Sequence, residues 1–375
     1  MQISKNFRLI SGRRMKSLAR SCVFKVKPYV PGRPIEEVQR KLGLKEVIKL
    51  ASNESPFPPS RRVTCAIQKA LPHLNRYPEG SCYDLRRELS RRLKVASNQL
   101  IFGNGSDEII VMGVRAFVQE GDEVVVAKPS FLIYKMASVA AGARIQEVPL
   151  KNFRYDLEAI EKALTKKTKI IFIGNPDNPA STYVTHREAE TFLRAVPPNV
   201  LVLLDEAYFE FVEEDDYPDS LALLKTHKNL LVTRTFSKMY GLAGLRIGYG
   251  ISRPETIDIL ERVREPFNVN TLAQVAAVAC LKDSAYYRAG LKLLKDLKQC
   301  LYENFRTMGL PFVESATNFI LVRVPQDSSV VDRELLKRGV IIRDMSFWGL
   351  KNFIRVTVGT PAENQKFLRA LKAVL

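Results

Sequence analysis

Lys238 stands at the centre of the most informative stretch of this chain, TRTFSKMYGLAGLRIGYG (residues 233–250), with Thr235 and Ser237 just before it and Arg246 after a glycine-rich turn. Two hydroxyls and a guanidinium can hold a phosphate while the lysine amine attacks a carbonyl. A second group lies in VLVLLDEAYFEF (200–211), where an aliphatic run ends on Asp205 and Tyr208 follows three positions later. A third is IFGNGSDEIIVM (101–112), whose Gly103, Gly105 and Ser106 read as a strand-to-helix turn offering backbone N–H groups to an anion. Glu108 occupies the place of the third glycine of a dinucleotide fingerprint, and no GK[ST] follows, so neither nucleotide template fits. His73, His186 and His227 are not spaced to share a metal or to assist a nucleophile, and no metal site is expected.

Such residues need strands to deliver them. QLIFG, EVVVAKP, ARIQEVPL, KIIFIGNP, VLVLLDEAY, LLVTRT and RIGYG are short apolar runs between residues 98 and 250. GSDEIIVMGVRAFV and THREAETFLRAV read as helices between them. The alternation predicts an α/β fold with a mostly parallel sheet, whose strand ends bring separate loops to one crevice. After Arg264 the texture changes to two long helical stretches, 271–283 and 285–309, then short strands in NFILVRV, GVIIRD and FIRVTVG and a terminal helix, an α+β module. Pro31, Pro56, Pro58 and Pro59 predict that residues 23–60 run extended over the body.

A chain of 375 residues with 46% hydrophobic content can bury a large core, and no apolar run approaches the length that a membrane span needs. The net charge is +18, and half of it sits in residues 1–35, which carry nine basic residues and no acid. That excess favours phosphorylated or carboxylated ligands. No nucleic-acid-binding signature accompanies it, so no specific nucleic-acid partner is expected. The Arg-rich start is compatible with a transit peptide, and better read as a disordered extension or an upstream start ahead of Met15. Five cysteines without a C-x-x-C pair argue against a disulfide framework, and a reducing cytoplasm is the expected location.

TFSK with its trailing GLAGLRIGY resembles the cofactor-lysine segment of fold-type I pyridoxal-phosphate enzymes, closest to the histidinol-phosphate aminotransferase branch. The likeness runs from about Tyr29 to the C-terminus. It implies an aspartate-aminotransferase-like fold with a basic extension at 1–22, an N-terminal arm at 23–49, a large cofactor domain at 50–265 and a small C-terminal domain at 266–375. It implies that Lys238 carries pyridoxal 5'-phosphate as a Schiff base, that Asp205 pairs with the ring nitrogen and that Tyr208 donates to the ring oxygen. GNGSDE assigns Ser106, Asp107 and Glu108 to the cofactor phosphate beside Thr235, Ser237 and Arg246. Phe131 of KPSFLIY stacks on the ring by the same likeness, and Asn178 of NPDNPAS bonds the ring hydroxyl, its Asn-Pro bonds suggesting a sharp turn that can be cis. Ala180 and Ser181 depart from the family's usual Thr-Gly.

Tyr29, Asn53 and Tyr77 match the branch's N-terminal signatures, and Tyr77 is implied to reach a neighbour's cofactor in a homodimer. Arg343 and Arg355 match its substrate-anion segment, where guanidinium forks can take a phosphate or a carboxylate in turn. The implied reaction transfers an amino group from L-histidinol phosphate to 2-oxoglutarate, giving imidazole-acetol phosphate and L-glutamate in histidine biosynthesis. An aromatic amino-acid aminotransferase and a threonine-phosphate decarboxylase share most of these segments and stay open as alternatives. A basic nucleotide- or nucleic-acid-binding protein would explain the charge and the glycine turns, but not Lys238 and Asp205 together.

Overall fold

The computed structural model describes residues 18–375. Most of the basic start therefore lies outside the described residues. Thirteen strands are used below: β1 (Ile48–Lys49), β2 (Leu100–Gly103), β3 (Glu123–Lys128), β4 (Arg144–Pro149), β5 (Thr168–Gly174), β6 (Leu201–Asp205), β7 (Leu230–Thr235), β8 (Gly248–Ile251), β9 (Phe312–Val313), β10 (Phe319–Arg323), β11 (Val340–Ile341), β12 (Arg343–Asp344) and β13 (Phe353–Thr357).

Seven of them form the central sheet in the order β2-β8-β7-β6-β5-β3-β4. Neighbours from β7 through β4 pair in parallel, and β8 runs antiparallel to both β7 and β2. Each apolar run forms a strand because both of its faces are covered, which is why these strands are nearly continuous Val, Ile and Leu. Alternation sorts the side chains. Val202 and Leu204 of β6 join Ile171 and Ile173 of β5 in one core. Leu201 and Leu203 join Ile170 and Phe172 in the core on the other face.

A smaller antiparallel sheet, β12-β13-β10-β9, packs its Phe319, Val322, Ile354 and Val356 with Leu301 and Phe305 of the Ser284–Thr307 helix and Phe367 of the Pro361–Lys372 helix. Leu50 and Tyr208 belong to that same core, although neither comes from the C-terminal third. The parallel pair β1–β11 fixes the N-terminal arm against this module, with Leu50 N–H donating to Ile341 O at 2.7 Å.

The arm is less extended than the prolines suggest. Ile35–Leu42 forms a helix that buries Val38 and ends on Gly43 in the left-handed region (φ 67°). Pro34 sits at its N-cap, where the missing N–H costs no hydrogen bond. The expected free extension through residue 22 also ends early: Arg20 donates to Ala140 O at 2.6 Å and Cys22 is buried.

Candidate active site

Strand ends converge on one cavity of about 220 Å³, and Lys238 Nζ lies in it, 3.4 Å from the carbonyl oxygen of Ser52 and 5.7 Å from the Tyr208 ring centroid. Burial, reinforced by the Arg355 guanidinium, lowers the lysine to about 8. A lysine held that low has a substantial amine fraction near neutrality, the form that attacks carbonyls and carries protons.

One end of the cavity is a cradle for an anion. The helix beginning at Ser106 points its first turn at the cavity, and Thr235, Ser237 and Arg246 close it from the segment after β7. Arg246 reaches the Ser237 hydroxyl at 3.4 Å and the Asp107 carboxylate at 3.2 Å. Gly105, at φ 81°, is required here: a Cβ would fall 2.5 Å from Arg246 Nη2. Burial raises Asp107, partly offset by Arg246.

Asp205, at the end of β6, is buried and has no cationic partner among the described residues. Its carboxylate accepts the Tyr134 hydroxyl at 2.7 Å and the Thr233 hydroxyl at 3.1 Å, and burial pushes it up to about 6. A buried carboxylate without a counter-charge suits a ligand whose own ring nitrogen carries a proton. Nearby, Asn53 donates from Nδ2 to the Tyr208 oxygen at 2.8 Å, so the Tyr208 O–H proton is free for another acceptor. Burial takes Tyr208 to about 12, which keeps it protonated.

The other end holds Arg343 and Arg355, direct partners in the β12–β13 register. Arg355 is buried, donates to Ala51 O at 2.9 Å and to Asn178 Oδ1, and leaves its Nε without a partner. Neither arginine has an acidic partner among the described residues, although burial drives Arg355 down to about 10. Phe131 and Tyr29 also line the cavity, and Tyr29 is half exposed.

Two of the expected residues do not line this chain's cavity. Glu108 turns away from the cradle, because its carboxylate accepts from the Asn104 N–H and from Asn268 Nδ2 at 2.7 Å and so closes the turn it follows. Tyr77 is 82% exposed and stacks on Phe267 at 4.8 Å, outside the cavity lining.

Sequence reasoning missed three contributors. Tyr134 lies one helical turn past Phe131, a spacing that signals a shared face. Asp177 is the residue before Asn178; buried and pushed up to about 7, it holds the loop by accepting the Ala180 N–H at 2.8 Å and the Tyr155 hydroxyl at 3.1 Å. Trp348 lines the cavity mouth from the turn between β12 and β13. The Asn175-Pro176 and Asn178-Pro179 bonds are both cis, and Ser181 takes the left-handed conformation (φ 66°) suited to the family's glycine.

Residues 45–371 match the family model for aminotransferase class I and II. The chain is 48% identical to histidinol-phosphate aminotransferase of Moorella thermoacetica, covering 95% of this chain and 92% of that one. With the enzyme of the same name from Caldicellulosiruptor saccharolyticus it shares 43% identity, over 95% and 99%. Among solved structures, histidinol-phosphate aminotransferase from Sinorhizobium meliloti, in complex with pyridoxal-5'-phosphate, superposes with a TM-score of 0.87 at 29% identity, covering 95% of this chain and 97% of that one. Aspartate aminotransferase from Thermus thermophilus, at 21% identity and a TM-score of 0.83 over 95% and 99%, shows the aspartate-aminotransferase-like fold. A buried lysine between an anion cradle and an arginine pair, in a chain this similar to known transaminases, makes this protein a member of the aminotransferase class I and II family.

Proposed function

We propose that this enzyme transfers the amino group of L-histidinol phosphate to 2-oxoglutarate, yielding imidazole-acetol phosphate and L-glutamate, with pyridoxal 5'-phosphate as cofactor. The observation that carries the reading is the placement of two separate cationic clusters on either side of Lys238: Arg246 at the Ser106 helix start, and Arg343 with Arg355 across the cavity. A transaminase acting on a phosphorylated amine needs one anion site for its cofactor and one for its substrate. The relatives named above support the same substrate.

The donor set fits the cofactor. Ser106, Thr235, Ser237 and Arg246 would hold its phosphate, Asp205 its ring nitrogen, and Tyr208 with Asn178 its ring oxygen, while Phe131 lines the adjoining wall. Bound there, pyridoxal phosphate supplies an electron sink for the pair left when a proton leaves the substrate Cα. The rest belongs to the chain. Lys238 Nζ, lowered to about 8, is the nucleophile and then the base that takes the Cα proton. Asp205 keeps a negative charge opposite the ring nitrogen. Arg355 and Arg343 orient the substrate by its phosphate or distal carboxylate, and the same pair serves both half-reactions because a guanidinium fork accepts either anion.

The reading extends to a homodimer in the cytoplasm. Tyr77, Tyr83, Leu71, Leu74 and Phe267 leave large apolar surfaces open to solvent, as a face awaiting a second copy would. No described helix is long and apolar enough to cross a membrane. Sedimentation of the pure protein tests the dimer.

A visible spectrum of the purified protein, titrated with histidinol phosphate, phenylalanine and threonine phosphate, tests the reaction. A colourless protein that binds no pyridoxal phosphate sinks the cofactor assignment. A response confined to phenylalanine points to an aromatic aminotransferase, and carbon dioxide from threonine phosphate to a decarboxylase. Turnover of histidinol phosphate with glutamate formation, absent in Lys238→Ala, is the result expected.

A further inference from the structure

Trp348 is the chain's single tryptophan, and it lines the cavity that holds Lys238. Its turn, Ser346–Trp348, lies in the chain between Arg343 and Arg355. Hydrogen bonds local to the turn hold it. Asp344 accepts the Ser346 N–H at 2.9 Å and the Ser346 hydroxyl at 2.6 Å, and Leu350 N–H returns to Met345 O at 3.1 Å. The indole N–H donates to Ser130 O at 3.2 Å, so the ring is tied to the segment just ahead of Phe131. The Arg343 guanidinium lies 4.9 Å from the ring centroid. A flat apolar surface is thus fixed beside the arginine pair, in the cavity that both guanidinium groups line.

The two substrates proposed above differ at that place. 2-Oxoglutarate presents a carboxylate and a flexible carbon chain. Histidinol phosphate presents an anion together with a planar imidazole, cationic when protonated. A fixed indole stacks on such a ring or attracts its charge, and gives little to an aliphatic diacid. We propose that Trp348 is a specificity-determining residue that recognises the ring of the amino donor, while the keto acid is bound by the arginines alone. This rests on the reading of the function given above.

The test compares Trp348→Leu and Trp348→Phe holoenzymes with the parent in steady-state kinetics. Leucine should raise the KM for histidinol phosphate roughly five- to tenfold, as loss of one stacked aromatic contact would. The KM for 2-oxoglutarate should stay within about twofold, because an aliphatic acid gains little from the indole. Phenylalanine, which keeps a ring but loses the bond to Ser130, should recover most of the loss. An equal rise in both KM values would make Trp348 a structural latch and overturn the proposal, as would no rise in either. Binding is also visible without turnover: histidinol phosphate should change the emission of this lone tryptophan in the parent protein, and unchanged emission at saturation counts against the contact. Should the parent refuse histidinol phosphate but accept phenylalanine, the reading of the function falls. The same variants compared on phenylalanine and glutamate then decide whether Trp348 selects rings.

Discussion

Arg343 and Arg355 face each other directly across the β12–β13 ladder, as Cα partners on one face of the small sheet. Like charges so placed repel, and neither forms a salt bridge among the described residues. An anion bound between them would offset that repulsion. Arg355→Lys keeps the charge but loses the planar fork, so the KM for histidinol phosphate and for 2-oxoglutarate should both rise, by about tenfold or more. Arg343→Gln should raise the melting temperature of the ligand-free protein while weakening binding of both substrates. Unchanged affinity in the lysine variant would dismiss the pair as the clamp.

Tyr134 gives Asp205 one of its two hydroxyl donors. Tyr134→Phe removes it, leaving a buried carboxylate oxygen unsatisfied at a cost of about 1–3 kcal/mol. The remaining carboxylate is harder to ionise, so its proton is released at higher pH. The acid limb of the kcat/KM profile should therefore move upward. A profile that keeps its acid limb would show that the bond is only packing.

Lys238 titrates in the folded protein at about 8, below its ordinary 10.5. Between those values the unfolded chain binds the proton and the folded one does not, so this group makes stability rise with pH across that window and applies its full penalty below 8. Lys238→Met should stabilise the cofactor-free protein at pH 7 by no more than about 3 kcal/mol, with the gain vanishing above pH 10.5. Denaturant melts of the two apo forms at pH 7 and pH 10.5 measure this. A destabilised methionine form at pH 7 would refute the burial argument. The same variant should lack transaminase activity.

How much of this was legible follows from where each residue sits. Asp205, Thr235 and Lys238 announce themselves because parallel strands, covered on both faces, are unbroken apolar runs, and the polar residues that follow mark their ends. The Arg61–Ala70 and Tyr83–Leu93 helices are quieter: each buries only two side chains along its whole length, too thin a stripe to stand out among charges. The likeness of GNGSDE places Glu108 in the cofactor cradle, but which way a side chain turns at a helix start depends on Asn268, distant in sequence. Tyr134 is signalled only by its one-turn spacing from Phe131, while Trp348 belongs to the site through a contact with Ser130 that no local pattern encodes.

Asp177 gives the opposite pH signature to Lys238. Burial raises it to about 7 from 3.8, so between those values the unfolded chain releases a proton that the folded one keeps. Stability on this account falls as pH rises through that range, and the penalty is complete above 7. Asp177→Asn keeps an acceptor for the Ala180 N–H and removes the charge. Its melting temperature should exceed the parent's by more at pH 8 than at pH 5, and the reverse order would rule the carboxylate out as the cause.

Gly248 lies where β8 passes under the anion cradle, and a methyl group there would fall 2.7 Å from the Gly105 carbonyl carbon. Gly248→Ala must displace the Gly105–Ser106 backbone at the helix start. Pyridoxal phosphate affinity, read from the visible absorption of the reconstituted protein, should drop at least about tenfold, the loss expected from one misplaced charge-assisted hydrogen bond. Retention of parental affinity would mean that the phosphate sits elsewhere.

Residues 50–53 are hydrogen-bonded to both halves of the molecule. Leu50 O accepts from Thr357 N–H, Ala51 O from Arg355, and Asn53 bonds Thr357 on one side and Tyr208 on the other. Four consecutive residues thus stitch the N-terminal arm to β13 and to Tyr208. Between two residues bonded to β13 sits Ser52, whose carbonyl oxygen lies 3.4 Å from Lys238 Nζ, so the strip that anchors the small sheet also sets one contact of the buried lysine.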